Sequence, residues 1–287
     1  MGQCRVIMSD GGPMIYKGLT VTGTDTGIGK TAVACALSRL SREAGFKVGV
    51  LKPVETGCKD LPEDGLKLAA SAGLTSMEKS ADRGVFSGDY EWDDIVPWRF
   101  AAPLAPEEAA RLEGIEISVD SVYQAANRWM VRADLIVSET AGGVMVPINS
   151  RFLTIDLIKA LELPLILVAA DRLGVINHTL LTVEALYRRG LEVLAIVLVR
   201  LSETADLSSA SNADVISRHT GVPLVQVPYE VEKEGAPVRE VFADAGERAA
   251  FNALKPFFPV IMEGVEKRYN IVKRLYISGG KKKTDQD

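Results

Sequence analysis

The chain has 287 residues, 47% hydrophobic and 25% charged, with a formal net charge of -5. That suits a globular protein large enough to bury a full core, and the acidic balance, with no basic stripe in the body of the chain, excludes a nucleic-acid platform. No apolar run reaches the roughly 18 residues of a membrane span, and Cys4, Cys35 and Cys58 lie too far apart for a disulfide framework or a zinc site, so the sequence predicts a soluble, cytoplasmic protein with no membrane or nucleic-acid partner.

Residues 1–17 read as an N-terminal extension. They lack a basic segment followed by an apolar run, and Val6 stands where a myristoylation signal needs Ser or Thr. Apolar, β-branched runs then recur at Leu19–Thr22, Lys47–Leu51, Leu135–Ser138, Leu165–Ala169, Leu194–Val199 and Leu224–Val227. Helical spacing marks Thr31–Ala44, Thr154–Leu161, Asn177–Arg189 and Asn212–Thr220. Short apolar strands alternating with helices predict a doubly wound α/β fold, its mostly parallel sheet covered by helices on both faces. The interval from Cys58 to Trp129 carries no strand pattern and predicts a helical lobe over the sheet's carboxyl edge, where such folds bind ligands. The α/β domain spans 18–240. Residues 241–277 predict a helical segment packed on it, and 278–287, SGGKKKTDQD, a disordered tail.

Between the first strand and the first helix lies GTDTGIGKT, residues 23–31. Glycines there let the backbone turn tightly and aim several N–H groups at anionic oxygens, and the helix adds its positive end. A lysine in the first turn reaches terminal phosphates, and the hydroxyl after it can ligate magnesium. Gly29, Lys30 and Thr31 supply that ending, which predicts a P-loop. The glycine that usually opens the pattern falls one residue early, at Gly23, with Thr24 in its place.

Three further features point to the same edge. Lys52 ends the second strand in VLKPVETG, and a second lysine beside the first suits a reaction that gathers negative charge. Asp64 opens a helix in LPEDGLK, where it also suits an N-cap. Glu139 ends an apolar strand in LIVSETAGG, where a buried carboxylate needs a partner. With Thr31 these two acids can form an oxygen shell for Mg²⁺.

GTDTGIGKT, KPVETG, the Asp64 segment, RFAAPLAPEEAA, ETAGGVMVP, LPLILVAADRLGVINHTLLTVEAL and PLVQVPY together resemble the dethiobiotin synthetase family over roughly residues 18 to 230. The early glycine is a trait of that family. The resemblance implies a P-loop enzyme that joins CO₂ to an amine of 7,8-diaminononanoate, phosphorylates the carbamate with ATP, and closes a ureido ring as the second amine displaces phosphate. It assigns the triphosphate to Lys30 and the backbone of Gly27, Ile28, Gly29, Lys30, Thr31 and Ala32, with Asp64 alongside. Mg²⁺ falls to Thr31, Asp64 and Glu139. Lys52 is the implied catalytic lysine, working with Lys30. Thr26, Thr56, Gly142 and Gly143 line the substrate, and Leu173 and Asn177 take its tail near a two-fold interface, which implies a homodimer. His178 belongs to the same motif but reads as a packed or capping residue.

The chain departs from the family pattern at Gly27, often acidic there, and at Thr140, usually glycine. At Val199 the family has an adenine-contacting asparagine. The backbone of Pro228, Tyr229 and Glu230 is the expected substitute for base contact. Two rival classes fit less well. Partitioning and septum-positioning ATPases carry an extra lysine where this chain has Asp25. Ligases of corrin synthesis append a glutaminase domain, for which the roughly 50 residues after Pro237 are too few.

Overall fold

The computed structural model describes residues 17–74, 85–86, 90–204, 206–230 and 245–280. The readings for residues 1–16 and for the Lys281–Lys283 run lie outside them. In chain order the elements are β1 (Gly18–Gly23), α1 (Lys30–Glu43), β2 (Val48–Leu51), β3 (Val54–Thr56), α2 (Glu63–Ser71), β4 (Val85–Phe86), β5 (Tyr90–Glu91), α3 (Trp92–Ile95), β6 (Trp98–Phe100), α4 (Pro106–Leu112), α5 (Val119–Met130) and β7 (Leu135–Gly143). There follow α6 (Thr154–Leu161), β8 (Leu165–Ala170), α7 (Val175–Arg188), β9 (Val193–Val199), α8 (Ser209–Thr220), β10 (Leu224–Val227), α9 (Ala245–Leu254) and, after a short 3₁₀ turn, α10 (Phe258–Gly280).

Six strands form one sheet in the order β10-β9-β8-β1-β7-β2, every pairing parallel. β1 and β8 are buried at every residue, as expected of strands covered on both faces, whose sequences run apolar rather than alternating. The chain winds from β1 outward to β2 and back to β7, then crosses to β8 on the other flank of β1. The loop after β1 therefore leaves the sheet where the winding reverses, the crevice at which open α/β sheets bind ligands.

The interval from Cys58 to Trp129 does contain strands, which corrects the expectation of a purely helical lobe. β6 pairs in parallel with β3 (Val54↔Trp98, Thr56↔Phe100), and β4 pairs with β5. Two or three residues are too few for alternation to register in a sequence. Their placement matters, because the lobe props the end of β2: the backbone N–H of Lys52 donates to the carbonyl of Ile95 at 2.7 Å. Trp129 of α5 anchors the lobe. It is 1% exposed, stacks on Tyr90 with ring centroids 4.3 Å apart, and donates its indole N–H to the Asp94 carbonyl at 2.7 Å. A Cβ on Gly49 would lie 2.7 Å from that indole ring, so only glycine lets Trp129 rest on β2.

At the C-terminal end α9 packs along α1. Ala249, Ala250 and Leu254 are fully buried, and Arg39 reaches across to Glu247 with two bonds of 3.0 and 2.7 Å. α10 continues to Gly280, so residues 278–280 are helical where the sequence predicts disorder. No helix among the described residues is long and apolar enough to cross a membrane.

Candidate active site

Gly23 ends β1 and explains the irregular opening of the loop. A Cβ there would lie 2.7 Å from Ile28 Cδ1 and 2.9 Å from Lys30 Cδ, so the missing side chain lets both fold back over the strand end. Gly27 and Gly29 take positive φ of 70° and 90°, a conformation that favours glycine. The loop leaves Asp25, Thr26 and Gly27 exposed, and α1 starts at Lys30. The Lys30 ammonium donates to the Asp25 carbonyl at 2.5 Å, closing the loop on itself. Arg172, in the turn before α7, pairs with the Asp25 carboxylate at 3.2 Å.

Lys52 leaves the sheet just past β2 and turns toward this loop. Its ammonium donates to Glu139 Oε1 at 2.6 Å and to Asp64 Oδ2 at 2.8 Å, and Thr31 Oγ1 donates to the same Glu139 oxygen at 2.9 Å. Four sequence candidates from four elements thus meet at one point. β7 delivers Glu139 through a bulge: Val21 pairs with Glu139 and Gly23 with Gly143, so three residues of β7 oppose one of β1. The hydroxyls of Thr22 and Thr140 hydrogen-bond across that bulge at 2.9 Å. At Gly142 a Cβ would sit 3.4 Å from Thr26 Oγ1, which brings the strand tip against the loop.

The charges respond to one another. Burial pushes Lys30 down to about 8, with Glu139 opposing and the Lys52 charge adding to the fall. Burial also works against Lys52, but Glu139 and Asp64 outweigh it and hold its pKa above the ordinary lysine value. Burial raises the Glu139 pKa in spite of Lys52. Asp64 is less enclosed, and there the pull of Lys52 overcomes burial and lowers the pKa.

Among the described residues no three His, Cys, Asp or Glu side chains cluster as a metal cage. The candidate set is instead two carboxylates and a hydroxyl, all oxygen donors. Such a set suits Mg²⁺, which keeps waters and phosphate oxygens in its shell. Glu139 Oε2 is buried without a hydrogen-bond partner, so that oxygen is available to a cation.

Other candidates are not joined to this cluster. Thr56 is half-buried at the end of β3, Leu173 and Asn177 are exposed at the start of α7, and Pro228, Tyr229 and Glu230 follow β10, with the Glu230 carboxylate held by Arg248 at 2.9 Å. Val199 packs toward the loop: a Cβ on Gly29 would lie 3.1 Å from its Cγ1. Sequence reasoning missed Glu55. It is 7% exposed beneath the start of α2, and burial pushes its carboxyl up to about 7. Its only sequence signal was an acid in the strand between Lys52 and the Asp64 helix.

A family model described as an AAA domain matches residues 17–234. The ATP-dependent dethiobiotin synthetase of Anaeromyxobacter dehalogenans is 45% identical over 217 residues, covering 75% of this chain and 91% of that protein. The Bacillus licheniformis enzyme of the same name is 38% identical over 219 residues, 75% of this chain and 87% of its own length. The Bacillus subtilis enzyme is 35% identical over 212 residues, 74% and 86% respectively. A solved MinC:MinD cell division protein complex from Aquifex aeolicus overlaps with a TM-score of 0.49 at 13% identity, covering 86% of this chain and 96% of that one, a likeness too distant to bear on function.

Proposed function

The chain belongs to the dethiobiotin synthetase family, and from that premise we propose how its carboxyl edge divides the work. The enzyme makes dethiobiotin from 7,8-diaminononanoate, CO₂ and ATP. One amine nitrogen bonds to the carbon of CO₂ and sheds a proton, giving a carbamate. A carbamate oxygen then takes the γ-phosphoryl group from ATP and ADP leaves. The second amine attacks the carbonyl carbon, phosphate departs, a second proton is lost and the ureido ring closes.

Each step gathers anionic oxygen in one place, and the single observation that carries the reading is the convergence of Lys52 with Thr31, Asp64 and Glu139 at the mouth of the phosphate loop. The backbone from Gly27 to Ala32 cradles the triphosphate with Lys30. Lys52 stabilises the carbamate and the transferring phosphoryl oxygens, charge that develops only as the reaction proceeds. Thr31, Asp64 and Glu139 hold Mg²⁺, which when bound neutralises phosphate charge. Thr26, Gly142 and Gly143 shape the carbamate side, and Thr56 offers a hydroxyl to the diamine.

Leu173 and Asn177 receive the substrate tail, whose carboxylate suits the N–H groups at the start of α7. Leu173 is 77% and Leu181 57% exposed on the same segment, which supports a homodimer formed over this face. Light scattering tests the assembly, with a monomer at micromolar concentration arguing against it. For the reaction, labelled bicarbonate is supplied with the diamine, with and without ATP and Mg²⁺. Label fixed into an acid-stable ring only with both is expected, and fixation without either overturns the assignment of roles.

A further inference from the structure

Glu55 is a buried acid on the active edge to which the mechanism gives no role. It lies in the middle of β3, and its two carboxylate oxygens accept separate backbone N–H groups, Oε1 from Asp64 at 3.0 Å and Oε2 from Gly65 at 2.9 Å. These are the second and third residues of α2, whose N-cap is Pro62 with no side-chain cap of its own. A helix start leaves four N–H groups without intrahelical partners. Here a carboxylate nine residues back along the chain takes two of them, and its negative charge faces the helix's positive end. The fit is close: a Cβ on Gly65 would lie 2.3 Å from Val96 Cγ2 and 3.5 Å from Glu55 Oε2. The helix therefore enters over Glu55 in a single register, and that register aims Asp64 at Lys52.

Lys52 and Glu55 thus hold one residue from two sides, Lys52 by its carboxylate and Glu55 by its backbone. In the proposed reaction the Lys52 ammonium is needed on carbamate and phosphoryl oxygens, so its hold on Asp64 is one that substrate competes for. The Glu55 hold involves no reacting group. We propose that Glu55 is a positioning residue that keeps Asp64 at the Mg²⁺ position whatever Lys52 is engaged with. This rests on the reading of Asp64 as a metal ligand. A glutamine at position 55 keeps the size and one acceptor, but turns an NH₂ toward one of the two N–H groups.

The test compares the wild type, Glu55→Gln, Asp64→Ala and the double variant, with Mn²⁺ as the probe. Mn²⁺ bound in the presence of ADP is read by electron paramagnetic resonance, alongside the Mg²⁺ concentration for half-maximal turnover and the melting temperature. Partners that orient a metal ligand typically matter about 10- to 100-fold in metal affinity. Glu55→Gln is therefore expected to weaken Mn²⁺ about tenfold, to raise the half-saturating Mg²⁺ by more than it lowers kcat, and to add nothing in the Asp64→Ala background. Wild-type Mn²⁺ affinity in Glu55→Gln overturns the proposal, as does an equal loss with and without Asp64, which marks a general effect on folding. Wild-type affinity in Asp64→Ala removes the ligand itself, and with it the premise. Should Glu55→Gln not fold, Glu55→Asp keeps both acceptors at shorter reach and carries the same expectation in smaller degree.

Discussion

Replacing Lys52 by methionine keeps most of the side-chain volume and removes the charge that two acids share. In the folded enzyme the Lys52 side chain is 5% exposed and lies 2.6 Å from Glu139, itself 1% exposed, and 2.8 Å from Asp64, which is 36% exposed. Removing one partner of a buried pair costs about 3–5 kcal/mol. The half-open Asp64 arm is discounted for solvent, and the Thr31 hydroxyl stays on Glu139, so the lower end, about 3 kcal/mol, applies. For a chain of this size that corresponds to a fall of roughly 6–12 °C in Tm. The sign with pH follows from Glu139. Burial already holds its pKa above 4.5, and losing Lys52 raises it further. A carboxyl raised by folding lowers stability once pH exceeds its unfolded value, so the penalty is larger at pH 8 than at pH 4. Turnover should drop about 10²- to 10³-fold, the range for losing one positioned donor at a developing anion, while ATP still binds through the loop. Thermal melts at both pH values and single-turnover phosphate release measure the two effects. A Lys52→Met enzyme with Tm within about 2 °C of wild type at pH 8 and kcat within tenfold would refute the reasoning.

Two other expectations follow from neighbouring residues. Val199 offers no hydrogen bond to a base, so kcat/KM for ATP, GTP and CTP should lie within about tenfold of one another, and Val199→Asn should favour ATP; a wild-type preference for ATP above about a hundredfold contradicts this. Phe251 of α9 is 6% exposed, and Phe251→Ala should cost about 3 kcal/mol with little change in KM for ATP; an unchanged Tm would show that the C-terminal helices do not stabilise the α/β core.

The main sheet was legible because burial on both faces leaves nearly unbroken apolar runs, and Leu165–Ala170 is as plain in the sequence as in the fold. Lys30, Thr31, Lys52, Asp64 and Glu139 were legible for a related reason. A charge or hydroxyl at the end of such a run has few structural excuses, and the loop spacing singles it out. β3 and β6 were not legible, since three residues carry no period. Glu55 escaped because its function is a backbone contact. Nothing about the Asp64 and Gly65 N–H groups is written in their side chains, and a glutamate inside a strand resembles any solvated one until the strand is found to be covered.

The loop's early glycine and the lysine at the end of β2 belong together. A glycine at Gly23 lets the Lys30 stem lie back against the end of β1. The proline after Lys52 cannot donate to a strand ladder, and the Ile95 carbonyl holds the Lys52 N–H, which turns its side chain inward. Each lysine alone is a strand-end charge. Together they repel, but burial is the main cause of the lowered Lys30 pKa, with the Lys52 charge adding to it, and Glu139 and Asp64 act on both ammonium groups in the opposite direction. The two acids thus favour the charged form of Lys52, and an anion bearing carbamate and phosphoryl oxygens has to compete with Asp64 and Glu139 for that ammonium.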